Sequence, residues 1–463
     1  MNNQNMNSAI TRRHFARTLA LPAGALLLGS ALPAWAKKKK PQETPPAPAP
    51  ADPIRPKFET KVLWDFDGLM KTPLNNCIQP KGHNGNVYLV VYMAGLSPNV
   101  VKIPLDGSKV QMAPLEPGFA VGGKGDPHRY FVIDCDTAGY IHVVGDMHSS
   151  PPVKHWISTK PEDISAFVRT EGADNPHKPH GKGVTYPAFS SSPDGVLYLA
   201  IRSSVPAYSH TISVLDVKTQ TWSVLGAEVS KADLIAVPSP KGGKHAHEAK
   251  GSPVTLWEAN GEGGYFAYTQ PHAKLNWDKN KRMHIVCAVL GVNTPSSQGR
   301  HTHSHVLYAY SDDGGKTIHR GDGSKIEWPM RVAAGPHQGN IVYAEHEGNP
   351  PWLHVSAGIG FDAKNRPVVG FASYKTGPHK FVLEKGKWTE LKSESSKAGV
   401  ASTTEEEEEK SDPLQPKVPD DAKRPDMEYF RKTGNLIYKT IRKNPDDTNK
   451  IKIMLGKVVP AKP

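Results

Sequence analysis

The stretch Gly139-Tyr140-Ile141-His142-Val143 leaves a turn glycine and then alternates, and it decides the fold because four other stretches share its form. They are Gly85-Asn86-Val87-Tyr88-Leu89, Gly195-Val196-Leu197-Tyr198-Leu199, Lys281-Arg282-Met283-His284-Ile285 and Asn365-Arg366-Pro367-Val368-Val369. A period of two sends successive side chains to opposite faces of a strand. Each stretch follows a turn containing Asn, Asp, Ala or Lys, so each reads as the second arm of a β-hairpin. The anchors lie 54, 56, 86 and 84 residues apart, near the ~40–50 residue period of propeller blades with some units enlarged or skipped. Residues 57–392 are therefore expected to form an all-β propeller, with room for roughly six to eight blades.

Ser311-Asp312-Asp313-Gly314-Gly315-Lys316-Thr317 matches an aspartate-box turn, S-x-D-x-G-x-T, placed directly after the alternating Val306-Leu307-Tyr308-Ala309-Tyr310. Such a turn needs a carboxylate to accept from turn amides and a glycine to take the left-handed backbone. It marks architecture and not chemistry.

The flanks have other compositions. Residues 1–36 read as a twin-arginine signal peptide: Arg12-Arg13, an apolar run from Leu19 to Leu32, then Ala34-Trp35-Ala36 as a small-x-small cleavage site. The run is short and broken by Pro22 and Gly24, which argues against a membrane span. The expected location is periplasmic or secreted. Residues 37–56 are a Lys/Pro/Ala linker, and 393–425 form a low-complexity acidic segment around Glu405 to Glu409. Apolar residues return in 426–463, which is expected to come back and close the propeller.

The net charge of +12 falls to +9 when residues 1–36 and their three arginines are removed. That excess favours a polyanionic partner: nucleic acid, anionic lipid or acidic polysaccharide. Nucleic acid ranks last, because Lys37 to Lys40 and the C-terminal tail carry much of the charge without interleaved aromatics. Three cysteines are too few, and odd in number, for a disulfide framework. Nothing in the sequence asks for a partner subunit, so a monomer is expected.

Four chemically capable side chains sit at expected strand ends: His128 in GDPHRY, His148 in VVGDMH, Tyr186 in GVTYP and Arg202 in YLAIR. Non-hydrolytic cleavage of a uronate polymer removes the proton beside the carboxylate and expels the oxygen one carbon further on. The carbanion-like state needs a cation at the carboxylate, which a permanently charged guanidinium supplies. Imidazole can act as a base near neutrality, and a phenol can exchange a proton at the leaving oxygen.

These motifs, followed by RMHIVCAV and HVLYAYSDDGGKT, resemble the BNR-repeat-containing propeller family that includes the ulvan lyases, polysaccharide lyases of a seven-bladed type. The resemblance covers roughly Lys81 to Tyr374. It implies that His128 acts with Tyr186 in proton transfer, that His148 lies close to the substrate carboxylate, and that Arg202 binds it. The implied activity is a polysaccharide lyase working by β-elimination on a uronic-acid-containing, ulvan-like polysaccharide. The alternative is a non-catalytic propeller that binds glycans or protein.

His284 and Cys287 lie close on one strand, and His301, His303 and His305 share a face if their run is extended, a donor set suited to Zn²⁺. The resemblance likewise implies a structural zinc. Glu345 and Glu347 could suggest a glycoside hydrolase, but they would share one strand face with no opposing acid evident. A sialidase reading lacks an arginine triad.

Overall fold

The computed structural model describes residues 57–69, 73–150, 153–170, 184–203, 209–226, 257–258, 265–266, 274–291, 305–328, 330–331, 340–344, 353–373, 376–391, 418–419, 421–443 and 449–459. Residues 1–56 and 393–417 lie outside these, and with them the expected signal peptide, the linker and the glutamate run.

The hairpins are set by a recurring short side chain. Asp136 Oδ1 accepts from the amides of Ala138 and Tyr140, both at 2.9 Å. Asp278 Oδ1 does the same for Asn280 and Arg282, and Asp362 Oδ1 for Lys364 and Arg366. In the remaining case of this kind Ser192 Oγ accepts from Val196 at 3.0 Å. The residue before the second arm then takes a positive φ: Gly139 at 86°, Lys281 at 64°, Asn365 at 60° and Gly195 at 85°. Pairing two turn amides with one carboxylate removes the desolvation cost of reversing the chain there.

All five alternating stretches are second arms. Lys81–His83 pairs with Asn86–Met93, Val132–Cys135 with Ile141–Val144, Val184–Ser191 with Leu197–Ser203, Lys274–Trp277 with Met283–Gly291, and Leu353–Phe361 with Pro367–Ser373. Each hairpin extends into an antiparallel meander, and the described residues build six sheets in all. Consecutive sheets pack face to face. Tyr198, Ala200 and Ile212 meet Ile285, Leu307 and Ala309, while Val286, Val306 and Tyr308 on the opposite face meet Ile359, Val369 and Phe371. The sheet of Met283–Gly291 and His305–Ser311 is therefore buried on both sides, which is why those strands read as apolar runs.

The aspartate box forms as expected. Thr317 donates its amide and hydroxyl to Asp313 at 2.9 and 2.7 Å, and Gly315 donates to Ser311 Oγ at 2.7 Å. Ile318 is fully buried where the motif has an aromatic.

The sixth sheet joins the two ends of the described chain: Lys57–Leu69 pairs with Asn449–Val459, which pairs with Asn435–Lys443. The C-terminal part starts earlier than Asp426, because Val418 and Ala422 are already buried against Leu436 and Tyr438. A helix, Met427–Thr433, is capped by Asp426 at its start and by Gly434, at φ 72°, at its end. Its Tyr429 ring lies flat on Gly82, where any side chain would collide.

That helix closes a charged hub. Lys81 Nζ lies 2.5 Å from Glu428, 3.2 Å from Asp134 and 3.8 Å from Asp426. Glu428 also accepts from the Ser191 amide at 2.8 Å, and Asp426 from the Gly82 amide at 2.7 Å. Burial works against the Lys81 charge, but the three carboxylates outweigh it and hold the ammonium well above its ordinary range. The first arms of three hairpins are thereby tied to one C-terminal turn. Ser191 ends the strand that carries Tyr186 near its beginning, so the hub and Tyr186 lie at opposite ends of it.

Candidate active site

The sheet register brings the site together. Thr185 is paired with His148 on one side and with Arg202 on the other, and Arg202 is paired with His210. Between Thr185 and Ala188 the ladder slips, and Tyr186 occupies the slip at φ 58°, a left-handed backbone unusual for a bulky side chain. Such a conformation costs about 1–3 kcal/mol and persists where its surroundings impose it. Here Tyr130 donates its hydroxyl to the Pro187 carbonyl at 3.1 Å. The bulge sets the phenol under the Arg202 guanidinium, whose carbon lies 4.5 Å from the ring centroid.

His128 arrives on a separate loop. Asp126 caps the short turn Pro127–Arg129, accepting from the His128 amide at 3.0 Å. Asp146 fastens that loop to the strand leading to His148, accepting from the Gly122 amide and from Arg129 Nη1, both at 3.0 Å. The two imidazoles stack with centroids 4.1 Å apart, and the His128 ring lies 5.4 Å from that of Tyr186. His128, His148, Tyr186 and Arg202 thus form one group. The imidazoles are partly open to solvent, while Tyr186 and Arg202 lie behind them at 6% and 3% exposure.

A fifth residue organises the group. The Asp126 carboxylate lies 2.5 Å from His128 Nδ1 through one oxygen and 2.5 Å from His148 Nδ1 through the other. Partial burial pushes this carboxyl up, but hydrogen bonds from the His128 amide and from both rings outweigh it and bring it to about 2. An ionised carboxylate only accepts, so each Nδ1 carries the proton and, on a neutral ring, each Nε2 keeps its lone pair. Sequence reading passed over Asp126 inside its own quoted motif, where Asp-Pro looks like turn punctuation.

Asp126→Asn leaves one acceptor where there were two, so one imidazole loses its anchor. Any turnover dependent on these rings is expected to fall about tenfold or more. Wild-type turnover in this variant counts against the role. For stability the sign is that of a depressed carboxyl. The contribution is present above the ordinary carboxylate range and is lost as pH falls through about 2.

Of the donors expected for zinc, His284 and Cys287 do not share a face. His284 and Cys287 are three residues apart on Met283–Gly291, so they project from opposite faces. His284 Nδ1 lies 2.8 Å from the Tyr308 hydroxyl, whereas Cys287 packs with Ile285 and Leu307. His305 shares the Cys287 face, and burial pushes it down to about 4. His301 and His303 lie outside the described residues. Among these, the His, Cys and acidic groups near enough to share an ion are Asp126, His128 and His148. Their facing Nδ1 and oxygen atoms are already hydrogen-bonded to one another. Glu345 and Glu347 also lie outside the described residues.

Among solved structures, the fold is similar to that of an ulvan lyase of polysaccharide lyase family PL25. The TM-score is 0.50 at 13% identity, covering 84% of this chain and 81% of that one. The PL25 ulvan lyase bound to -[GlcA(1-4)Rha3S]- gives 0.49, and the polysaccharide lyase Uly1 gives 0.46 at 14% identity. At such identities the likeness is one of fold. No curated protein matches the sequence. No helix of the described residues is long and apolar enough to cross a membrane. A family model matches residues 97–395, well over half of the chain, and on that match the protein belongs to the BNR repeat-containing family.

Proposed function

We propose that the protein is an exported polysaccharide lyase that cleaves a uronic-acid-containing polymer by β-elimination. The observation that carries this reading is the Asp126 bridge, which aligns two imidazoles beside a phenol that lies under a guanidinium. In the proposed reaction Arg202 neutralises the uronate carboxylate, which lies close to His148, so that loss of the neighbouring carbon's proton does not leave two unscreened negative charges. His128 and Tyr186 exchange the protons. One takes the proton from the carbon beside the carboxylate, the C–H electron pair becomes the new C=C bond, and the bond to the leaving oxygen breaks as that oxygen is protonated. No water is consumed. The reading of residues 1–36 as a twin-arginine signal peptide supports export to where such polymers are met.

The test is to incubate the mature protein with a panel of uronate polysaccharides and follow the ultraviolet absorbance of the unsaturated uronate. Growth of that absorbance with at least one polymer is expected. Polymer retention with no absorbance on any member would replace the lyase by a glycan-binding propeller.

A further inference from the structure

The sheet that joins the two ends of the described chain has an outer face that the candidate active site does not use. In Lys450-Ile451-Lys452-Ile453-Met454 the isoleucines are buried and the lysines point outward. Register sets Arg442 directly opposite Lys450 and Thr440 opposite Lys452. The other end of this face is covered, since Val418, Ala422 and Met427 pack on Leu436 and Tyr438. What is left open is a groove of about 560 Å³, lined by Lys423, Arg442, Lys450 and Lys452 with Asp421 as its carboxylate. Asp65 braces Lys450 at 3.2 Å and Lys452 at 3.9 Å, and Asp67 lies 3.9 Å from Lys450. Lys423 and Arg442 carry no ion pair among the described residues.

Two cations placed opposite each other across neighbouring strands repel, and the strand spacing of about 4.8 Å keeps them close. An anion lying between them removes that penalty. We infer that this groove binds an acidic polysaccharide, holding a stretch of polymer away from the His128–Arg202 group. The glycan class rests on the function proposed above, while the groove itself rests on charge and register. No aromatic ring lines the groove, whereas single-stranded nucleic acid is held by base stacking. Its concave shape, with Val62 and Met454 as its main apolar contribution, does not suit a lipid surface, which takes a protruding apolar face.

The experiment measures binding of polygalacturonate by calorimetry at two salt concentrations, with neutral dextran, a single-stranded oligonucleotide and phosphatidylserine vesicles alongside. Arg442→Gln/Lys452→Gln is expected to bind polygalacturonate at least about tenfold more weakly, with a shallower salt dependence. The single Arg442→Gln, at an exposed residue with no ion pair among the described residues, should show part of the loss with an unchanged melting temperature. Introduced into Arg202→Gln protein, the same pair of substitutions should cost the same factor, since the two surfaces act independently. Wild-type affinity in the double variant overturns the proposal, as does tighter binding of the oligonucleotide or the vesicles than of polygalacturonate. If no polymer is cleaved and the groove variant still loses affinity, the catalytic reading falls and the groove stands.

Discussion

Tyr186→Phe is expected to lower the rate of uronate elimination by about 10²- to 10⁴-fold, the range for a positioned proton-transfer group. The substitution removes one hydroxyl and leaves the ring between His128, at 5.4 Å, and the Arg202 guanidinium, at 4.5 Å. The cation–π contact and the left-handed backbone at 58° both survive, so stability and polymer affinity should change little. The loss should therefore fall on kcat and not on KM. A variant that turns over at the wild-type rate would remove the phenol from the chemistry and leave the imidazoles to move both protons.

Lys81→Met is expected to destabilise the fold by about 3–5 kcal/mol, the cost of breaking a buried ion pair from one side. Asp134, Asp426 and Glu428 surround this ammonium, and the nearest contact is 2.5 Å. Without it three carboxylates face one another with no counter-charge. Urea denaturation reads the loss directly. Burial already raises the Glu428 carboxyl, so the deficit should shrink as pH falls and these groups take up protons. Lys81→Met/Glu428→Gln should recover part of the stability, because the second change removes one of the stranded charges. A loss below about 1 kcal/mol in the single variant, the scale of an exposed pair, would show that solvent reaches the hub.

Sequence and structure agree where the information is local. A period-two run after a turn fixes a hairpin arm without reference to the rest of the chain, and all five runs built around Val87, Ile141, Leu197, Met283 and Val368 take that place. The box at Ser311 is local in the same way. The candidate site was half legible: four chemically capable residues stood out at strand ends, but Asp126 did not, because its role depends on His148, a residue at the start of a strand beyond the next hairpin. Within the expected metal set, one pair is parted by periodicity. His284 and Cys287 are near neighbours in sequence, yet an odd spacing on a strand sends them to different faces. The hub was out of reach of local patterns, since Lys81 meets a glutamate 347 residues away.

The sheet shared by the two ends of the described chain imposes a timetable on synthesis. Phe58 is among the first of the described residues to leave the ribosome, and its partner Val458 is among the last. At about 5–20 residues per second, the early strand waits on the order of tens of seconds with its hydrogen-bonding edge unmatched. During that interval the nascent molecule offers a ready edge to any neighbouring strand, which is when a holding chaperone has most to protect.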